Sequence, residues 1–198
     1  MRNANVTAVS VSSNELKINT NEAALRLKIP REYENEEIKR CNLALKSVLC
    51  CKYAYVRVPV EFKEAGICNL GFGDIESRDL CTALCGCQEA YILGVTIGIK
   101  ADMLIKRLEI ASPAEAFITD ALASAAAESL CELADDTLRG VGKKPIRFSP
   151  GYGDLPLSVQ PAVLAVLNAD YTLGIALSPS FLMTPMKSVT AIMGILPN

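Results

Sequence analysis

The 198-residue chain has the length of one ordinary domain, and 51% of its residues are hydrophobic, which is enough to bury a sizeable core. Its 20 basic and 22 acidic residues leave a formal net charge of −2. This balance argues against a nucleic-acid partner, because nucleic-acid-binding proteins usually carry a basic excess or a basic face. The chain has no histidine, which excludes Ser-His-Asp and Cys-His catalysis and every histidine metal site. We predict one domain over residues 1–198.

Two observations predict a cytoplasmic protein without a membrane partner. The N-terminal segment has no apolar run after Arg2, so it does not resemble a secretory signal. The longest apolar stretches, such as Ala121 to Ala127 and Tyr91 to Ile99, are far shorter than the roughly 20 residues that span a bilayer.

The eight cysteines are expected to be reduced thiols, because the chain is too large and too apolar to need a disulfide framework. Cys81, Cys85 and Cys87 form a close group, which leaves a metal or redox role open. Their spacing differs from that of known clusters, however, and no second cysteine pair stands at a zinc-ribbon distance. We therefore predict no metal site.

The first third of the chain predicts two helices followed by a strand. A helix capped by Thr20 is expected over Asn21 to Lys28, and a second over Glu34 to Cys51, where apolar residues recur at helical spacing. The residues Tyr53 to Phe62 alternate in a way typical of a strand with one buried face. Pro59 places part of this strand at an edge or a bulge.

The middle of the chain predicts three helices and one strand. A short helix is expected from Ser77, and the mostly apolar strand Gln88 to Ile97 is expected to be covered on both faces. An amphipathic helix follows over Lys100 to Ile110. A capping box at 112–115 then predicts the start of a long helix, Pro113 to Arg139.

The C-terminal third contains two proline-rich segments between regular elements. Residues 145–156, PIRFSPGYGDLP, predict an ordered loop. A helix over Ser158 to Leu167 follows, and strands over Tyr171 to Leu177 and Val189 to Leu196 flank the second segment, Ser178 to Ser188. Strands and helices are mixed without a regular βαβ pattern, so the predicted fold class is α+β.

The first of these proline-rich segments is the strongest candidate for a binding site. Arg147 offers a planar guanidinium for a carboxylate or a phosphate, and Tyr152 offers a ring for stacking and a hydroxyl. Gly151 and Gly153 permit positive φ, and backbone N–H groups in such a turn can bind an anion or a carbonyl. These groups suit a polar small molecule with a carboxylate and an aromatic base. The alternative is a surface turn in which Arg147 pairs with Asp154.

The same loop carries a family resemblance. RFSPGYGD at 147–154, followed by LPL and Gln160, resembles a signature of the activation domain of vitamin B12-dependent methionine synthase. LSPSFLMTPMKSVTAIMG at 177–194 resembles a second signature of that family. Residues 96–98, Asp102 and residues 120–128 resemble its middle region.

The resemblance implies a single α+β domain with a mostly antiparallel twisted sheet packed by helices. In that family the activation domain binds S-adenosylmethionine and presents it to a cobalamin oxidised to inactive cob(II)alamin, while an electron donor reduces the cobalt. A single-domain chain of this kind would act on a separate cobalamin-dependent methionine synthase lacking its own activation domain. Cobalamin would be carried by that partner and not bound tightly by this chain, which has no imidazole to ligate it.

The resemblance also assigns residues to the ligand. Arg147 is expected to hold the carboxylate of S-adenosylmethionine, and Glu128 to meet its ammonium or sulfonium charge. The full set expected at the ligand is Glu128, Arg147, Ser149, Pro150, Gly151 and Tyr152. No residue is expected to be catalytic.

The second proline-rich segment is the candidate for a second wall of the site or a partner surface. An apolar patch with a charged rim is typical of a transient docking site. The residues expected in this role are Asp154, Phe181, Met183, Lys187 and Ser188. The alternative for the apolar residues 181–183 is that they pack inward beneath the loop.

Two other functions stay open from the sequence. One is a small S-adenosylmethionine-dependent enzyme, which the absence of histidine and of a Rossmann-type glycine loop disfavours. The other is an interaction protein that has kept the fold without the ligand, which the presence of Arg147 and Tyr152 disfavours. An accessory role in a methyltransferase reaction is the expectation.

Overall fold

The computed structural model describes residues 5–30, 36–64, 66–139 and 147–196. Its strands are β1 (Thr7–Val11), β2 (Cys51–Pro59), β3 (Glu61–Phe62), β4 (Ile67–Asn69), β5 (Asp74–Glu76), β6 (Glu89–Thr96), β7 (Arg147–Phe148), β8 (Ala176–Leu177), β9 (Met183–Thr184) and β10 (Ser188–Ile195). Its helices are α1 (Thr20–Leu27), α2 (Glu36–Lys46), α3 (Arg78–Ala83), α4 (Ile99–Ala111), α5 (Pro113–Arg139), α6 (Gln160–Val166) and α7 (Ala169–Thr172), with a 3-10 turn at Leu157–Val159.

A five-stranded sheet in the order β1-β2-β6-β10-β7 forms the centre of the fold. Each neighbouring pair of strands in it is antiparallel. One face packs against α5, which α1, α2 and α4 contact in turn, and the other packs against α3, α6 and α7. Adjacent residues Ile92 and Leu93 of β6 are both buried, so this strand is covered on both faces as predicted. The predicted α+β class and the antiparallel sheet packed by helices are confirmed.

The long helix α5 lies close to the sheet because its inner face carries alanines. Ala123, Ala125 and Ala126 have no exposed surface, and α5 contacts β2, β6 and β10 directly. Its predicted bounds are correct, but the predicted capping box is not formed. The N–H of Ser112 donates to the Leu108 carbonyl at the end of α4, while the Glu115 carboxylate binds Arg40 at 2.5 Å.

The two predicted helices that lie between β1 and β2 have different ends in the structure. The side chain of Asn19, not that of Thr20, caps α1 by accepting the N–H groups of residues 21 and 22. Helix α2 ends at Lys46 because Cys51 already pairs in the sheet with Val11; the predicted start at residue 34 lies outside the described residues.

The predicted strand Tyr53 to Phe62 is divided at Pro59. Its last two residues form β3 in a separate three-stranded sheet with β4 and β5. The prediction of one buried face was also wrong, because Tyr53 and Val56, which point to opposite faces, are both buried. Pro59 is tolerated at an edge, as predicted, since β1 pairs only with residues 51–55.

The predicted strand Tyr171 to Leu177 was wrong over most of its length. The chain forms the short helix α7 over Ala169–Thr172, and only Ala176 and Leu177 pair, with β9. Burial of Leu173 and Ile175 accounts for the apolar pattern that predicted a strand. A short apolar run has no periodicity that distinguishes the two structures.

No helix in the described ranges is long and apolar enough to cross a lipid bilayer.

The cysteines yield a prediction about thiol reactivity. None of the eight, all of which lie in the described ranges, forms a disulfide, and only Cys50 and Cys85 are exposed. Burial raises the pKa of Cys51 to about 11 and that of Cys131 to about 12, which keeps both thiols protonated and slow to react. We expect two thiols to react rapidly with a disulfide reagent such as DTNB in the native protein, and eight after denaturation in guanidinium.

Elemental analysis of protein purified without oxygen completes this test. Among the described residues no group of three or more cysteine, aspartate or glutamate side chains could hold a metal ion. Stoichiometric zinc or iron that is lost in a Cys85→Ser variant would contradict the interpretation of these residues as thiols.

Candidate functional site

The two proline-rich segments meet at a cavity of about 370 Å³. Helix α5, the loop after β7, the start of α6 and the segment leading into β10 form its walls. Eight of the residues expected from the sequence line it: Glu128, Arg147, Ser149, Pro150, Tyr152, Phe181, Met183 and Ser188. Gly151, Asp154 and Lys187 are absent from the lining.

Arg147 enters the cavity from the sheet. It belongs to the two-residue strand β7, where the sequence predicted only a loop, and its backbone lies opposite Met193 of β10. Its Nε lies 3.2 Å from Oδ2 of Asp135, and its Nη2 lies 3.5 Å from Oε2 of Glu128. These two acids are seven residues apart on α5, about two turns, and therefore share one face of that helix. They hold the guanidinium between the helix and the sheet.

The two acids of this group differ in exposure. The side chain of Asp135 is only 4% exposed, whereas that of Glu128 is 41% exposed and faces the cavity. Arg147 is 24% exposed and can reach a ligand while still paired with the buried acid. The sequence did not identify Asp135, because an acid late in a helix usually lies in solvent.

The loop after β7 is held by its own backbone hydrogen bonds. The Gly151 N–H donates to the Leu155 carbonyl at 2.9 Å, and the Tyr152 N–H donates to the Ser149 carbonyl at 3.0 Å. Gly151 has a φ of 90°, which favours glycine. These two N–H groups therefore do not bind an anion as proposed from the sequence. The Tyr152 side chain is 67% exposed beside the cavity.

Asp154 anchors the loop to helix α3 and does not form a wall of the cavity. Its carboxylate accepts hydrogen bonds from the Ser77 hydroxyl and from the N–H groups of Arg78 and Asp79, the latter two at 2.8 and 3.2 Å. The pairing of Asp154 with Arg147, which was the alternative to a binding site, does not form, because these donors at the start of α3 take the carboxylate. The hydrogen bond from Ser77, with those backbone donors, lowers the pKa of Asp154 below its ordinary value of 3.8.

This lowered pKa predicts a pH-dependent contribution to stability. An acid whose pKa is lower in the folded state stabilises the protein above its unfolded pKa and loses this effect as pH falls through the folded value. We expect Asp154→Asn to lower the melting temperature at pH 6, and the difference from wild type to shrink as pH falls through the lowered pKa of Asp154. A Glu64→Gln variant at an exposed position is the matched control. A difference that stays constant between pH about 6 and about 2.5 would contradict this role.

The second wall is fixed at its C-terminal end by polar contacts. The N–H of Met186 donates to Oδ2 of Asp102 at 2.7 Å, and the Lys187 ammonium lies 2.8 Å from Oδ1 of Asp120. The Ser188 hydroxyl donates to the hydroxyl of Thr96 at 2.9 Å. Lys187 therefore points to α5 and lies outside the cavity, which corrects its assignment to the exposed rim.

The apolar residues of this wall do not share one orientation. Phe181 and Met183 are half-buried and line the cavity, whereas Leu182 between them is 68% exposed. The sequence left two alternatives open for residues 181–183, namely docking residues that face solvent or side chains that pack inward. Leu182 fits the first alternative, and the half-buried Phe181 and Met183 fit the second.

Sequence reasoning missed a buried polar pair in the cavity wall. The side-chain amide of Gln160 lies 2.9 Å from the hydroxyl of Thr190 and 3.3 Å from the sulfur of Met183. Both polar residues are almost fully buried, and both line the cavity. A glutamine inside the apolar stretch 158–167 was the signal that could have found this pair, since buried polar side chains need a partner.

A larger open groove of about 970 Å³ lies elsewhere, where residues of β2 face α6 and α7. Its charged residue, Arg57, pairs with Glu89 at 2.5 Å. The smaller cavity is the stronger candidate site because charged, aromatic and buried polar groups converge there.

Comparison with solved structures identifies the fold. The chain matches the crystal structure of the MetH reactivation domain bound to AdoHcy with a TM-score of 0.78 and 17% sequence identity, over 100% of this chain and 80% of that chain. At this identity the likeness shows that the two share a fold. No protein-family model and no curated protein matches the sequence.

Proposed function

We propose that this chain, acting as one domain over residues 1–198, is an S-adenosylmethionine-binding reactivation factor. It supports the reductive methylation of cob(II)alamin on a separate cobalamin-dependent methionine synthase. The observation that carries the proposal is the meeting of Arg147, Glu128 and Tyr152 in one cavity. The fold supports it, because a domain with this fold has been crystallised with AdoHcy.

The groups of the cavity fit the chemistry of S-adenosylmethionine. Arg147 binds the ligand's carboxylate, as its planar guanidinium suits that group. Glu128 is more exposed than Asp135 and meets the ammonium or sulfonium charge, and the Tyr152 ring stacks on the adenine. The volume of about 370 Å³ lies within the range of roughly 300–1,000 Å³ that is usual for small-molecule sites.

The chain contributes binding and orientation to the reaction. The partner's cobalamin, once reduced by one electron from the donor, would accept the sulfonium methyl group as its bond to sulfur breaks, and S-adenosylhomocysteine would leave. Nothing in this sequence of events requires an acid, a base or a nucleophile from this chain. Its part is therefore an accessory one.

The partner docks at the open side of the cavity. Tyr152 is 67% exposed and lines the cavity together with Phe181, and Leu182, which follows Phe181 in the chain, is 68% exposed. Exposed apolar side chains next to a ligand are typical of a transient interface.

Reactivation of a cob(II)alamin-loaded methionine synthase that lacks its own activation domain tests the proposal. With reductant and S-adenosylmethionine present, this chain should accelerate the return of the methylcobalamin absorption spectrum. Leu182→Asp should slow the return, whereas Leu25→Asp, at an exposed position on α1, should not. An unchanged rate with the wild-type chain would exclude this function for that partner.

Two controls separate the proposal from the other functions. An independent enzyme would convert S-adenosylmethionine without the partner, so S-adenosylhomocysteine should be absent from reactions of this chain alone. An interaction protein without a ligand would give no heat with millimolar S-adenosylmethionine in calorimetry, which would also contradict the proposal.

A further inference from the structure

Strand β1 forms one edge of the main sheet. It pairs only with β2, from Thr7 opposite Tyr55 to Val11 opposite Cys51. Among the described residues no strand lies on its other side. Three of its five residues are exposed, and Val9 and Val11 are half-buried. Backbone N–H and C=O groups of alternate residues along this edge therefore have no partner in the sheet.

Within residues 5–13, this edge has no charge, proline or bulge of the kind that usually prevents strand pairing. Residues 5–13, NVTAVSVSS, contain no charge, proline or glycine. The pairing of β1 with β2 is continuous over five residues and has no bulge. Natural proteins protect an edge strand with lysine, proline, a bulge or a covering segment. The opposite edge, β7, has only two residues and carries Arg147.

We propose that β1 pairs antiparallel with β1 of a second copy, about a twofold axis at Val9. The five-stranded sheets of the two copies then form one continuous sheet. In this register Val9 lies opposite Val9 of the second copy, Thr7 opposite Val11, and Ala8 opposite Ser10. Cross-strand pairs of β-branched residues are favourable, and no like charges face each other.

A second copy is the occupant that this strand fits best because the strand is complementary to itself. An uncharged strand rich in β-branched residues meets the same residues in its own antiparallel twin, as an isologous interface requires. A strand of a charged partner would find no opposite charge here.

Pairing at this edge is compatible with the candidate site and independent of the proposed function. Strands β1 and β7 lie at opposite edges of the sheet, four strand spacings or roughly 19 Å apart. The cavity beside Arg147 therefore stays open in the dimer.

Sedimentation equilibrium over about 1 µM to 1 mM protein tests the proposal. The average mass should rise from 21.3 kDa toward twice that value. Strand pairing alone buries less surface than a standard interface of about 1,600 Å², so we expect a dissociation constant on the order of 100 µM.

Two variants that differ at one position test the register. In Ala8→Glu/Ser10→Glu the new acids of the two copies face each other, whereas in Ala8→Lys/Ser10→Glu a lysine faces a glutamate. Glu at position 10 faces Lys52 within the same chain in both variants, so the monomers remain comparable. The first variant should dimerise at least about tenfold more weakly than the second. Ala114→Glu/Ser158→Glu adds the same charge at exposed positions elsewhere and should behave as wild type.

Circular dichroism confirms that each variant is folded. A wild-type mass of 21.3 kDa at about 1 mM would overturn the proposal. Equal dimerisation of the two charge variants would overturn the stated register, and unchanged dimerisation of both relative to wild type would show that the dimer forms elsewhere.

Discussion

Replacing Arg147 with alanine should weaken S-adenosylmethionine binding by about ten- to a hundredfold, because a hydrogen bond to a charged group contributes roughly 1.5–3 kcal/mol. The guanidinium lies in the cavity wall and is held by Asp135 and Glu128 on α5. Isothermal titration calorimetry measures the change. Arg147→Lys keeps the charge but loses the planar fork, so it should restore only part of the affinity.

The same substitution has a structural effect that must be measured separately. Asp135 is almost fully buried, and removing Arg147 takes away a cation 3.2 Å from its carboxylate. We therefore expect a lower melting temperature as well. Arg26→Ala, which removes an exposed arginine paired on α1, is the control for a change in charge alone. An Arg147→Ala protein that is folded and binds as tightly as wild type would contradict the assignment.

Replacing Leu130 with alanine should lower the free energy of unfolding by about 2–5 kcal/mol. Leu130 lies on the inner face of α5 with no exposed surface and belongs to the core between this helix and the sheet. Its loss leaves a cavity that neighbouring side chains fill only in part. Urea denaturation followed by circular dichroism measures the change.

An exposed leucine provides the control for this substitution. Leu182→Ala removes the same atoms at a position that is 68% exposed, and it should change the free energy of unfolding by less than about 0.5 kcal/mol. Equal effects of the two substitutions would contradict the packing of α5 described above.

Local patterns predicted the long elements and the ordered loop after β7 well. Helix α5 was predicted from its SPAE start at 112–115 and strand β6 from its mostly apolar run, and RFSPGYGD is recognisable as an ordered turn from its own composition. Contacts between distant segments could not be predicted in this way. Nothing near Asp154 indicates that the start of α3, some 75 residues earlier, binds its carboxylate.

The residues of the candidate site could likewise be predicted only where a local pattern indicates them. Arg147 and Tyr152 were found from the loop, and Glu128 from the family resemblance. Asp135 was missed because its burial depends on the approach of β7 to α5, which no local pattern contains. Gln160 and Thr190 are 30 residues apart and form a pair only when α6 packs on β10.

The charges around Arg147 bear on the direction of methyl transfer. Among the described residues that line the cavity, Glu128 supplies a carboxylate that is 41% exposed. Under the proposed function, the methyl donor S-adenosylmethionine carries a positive charge on its sulfur, and the demethylated product has lost that charge. Coulomb attraction then favours the donor and weakens as the methyl group leaves. The site would therefore release S-adenosylhomocysteine more readily than S-adenosylmethionine, without any conformational change.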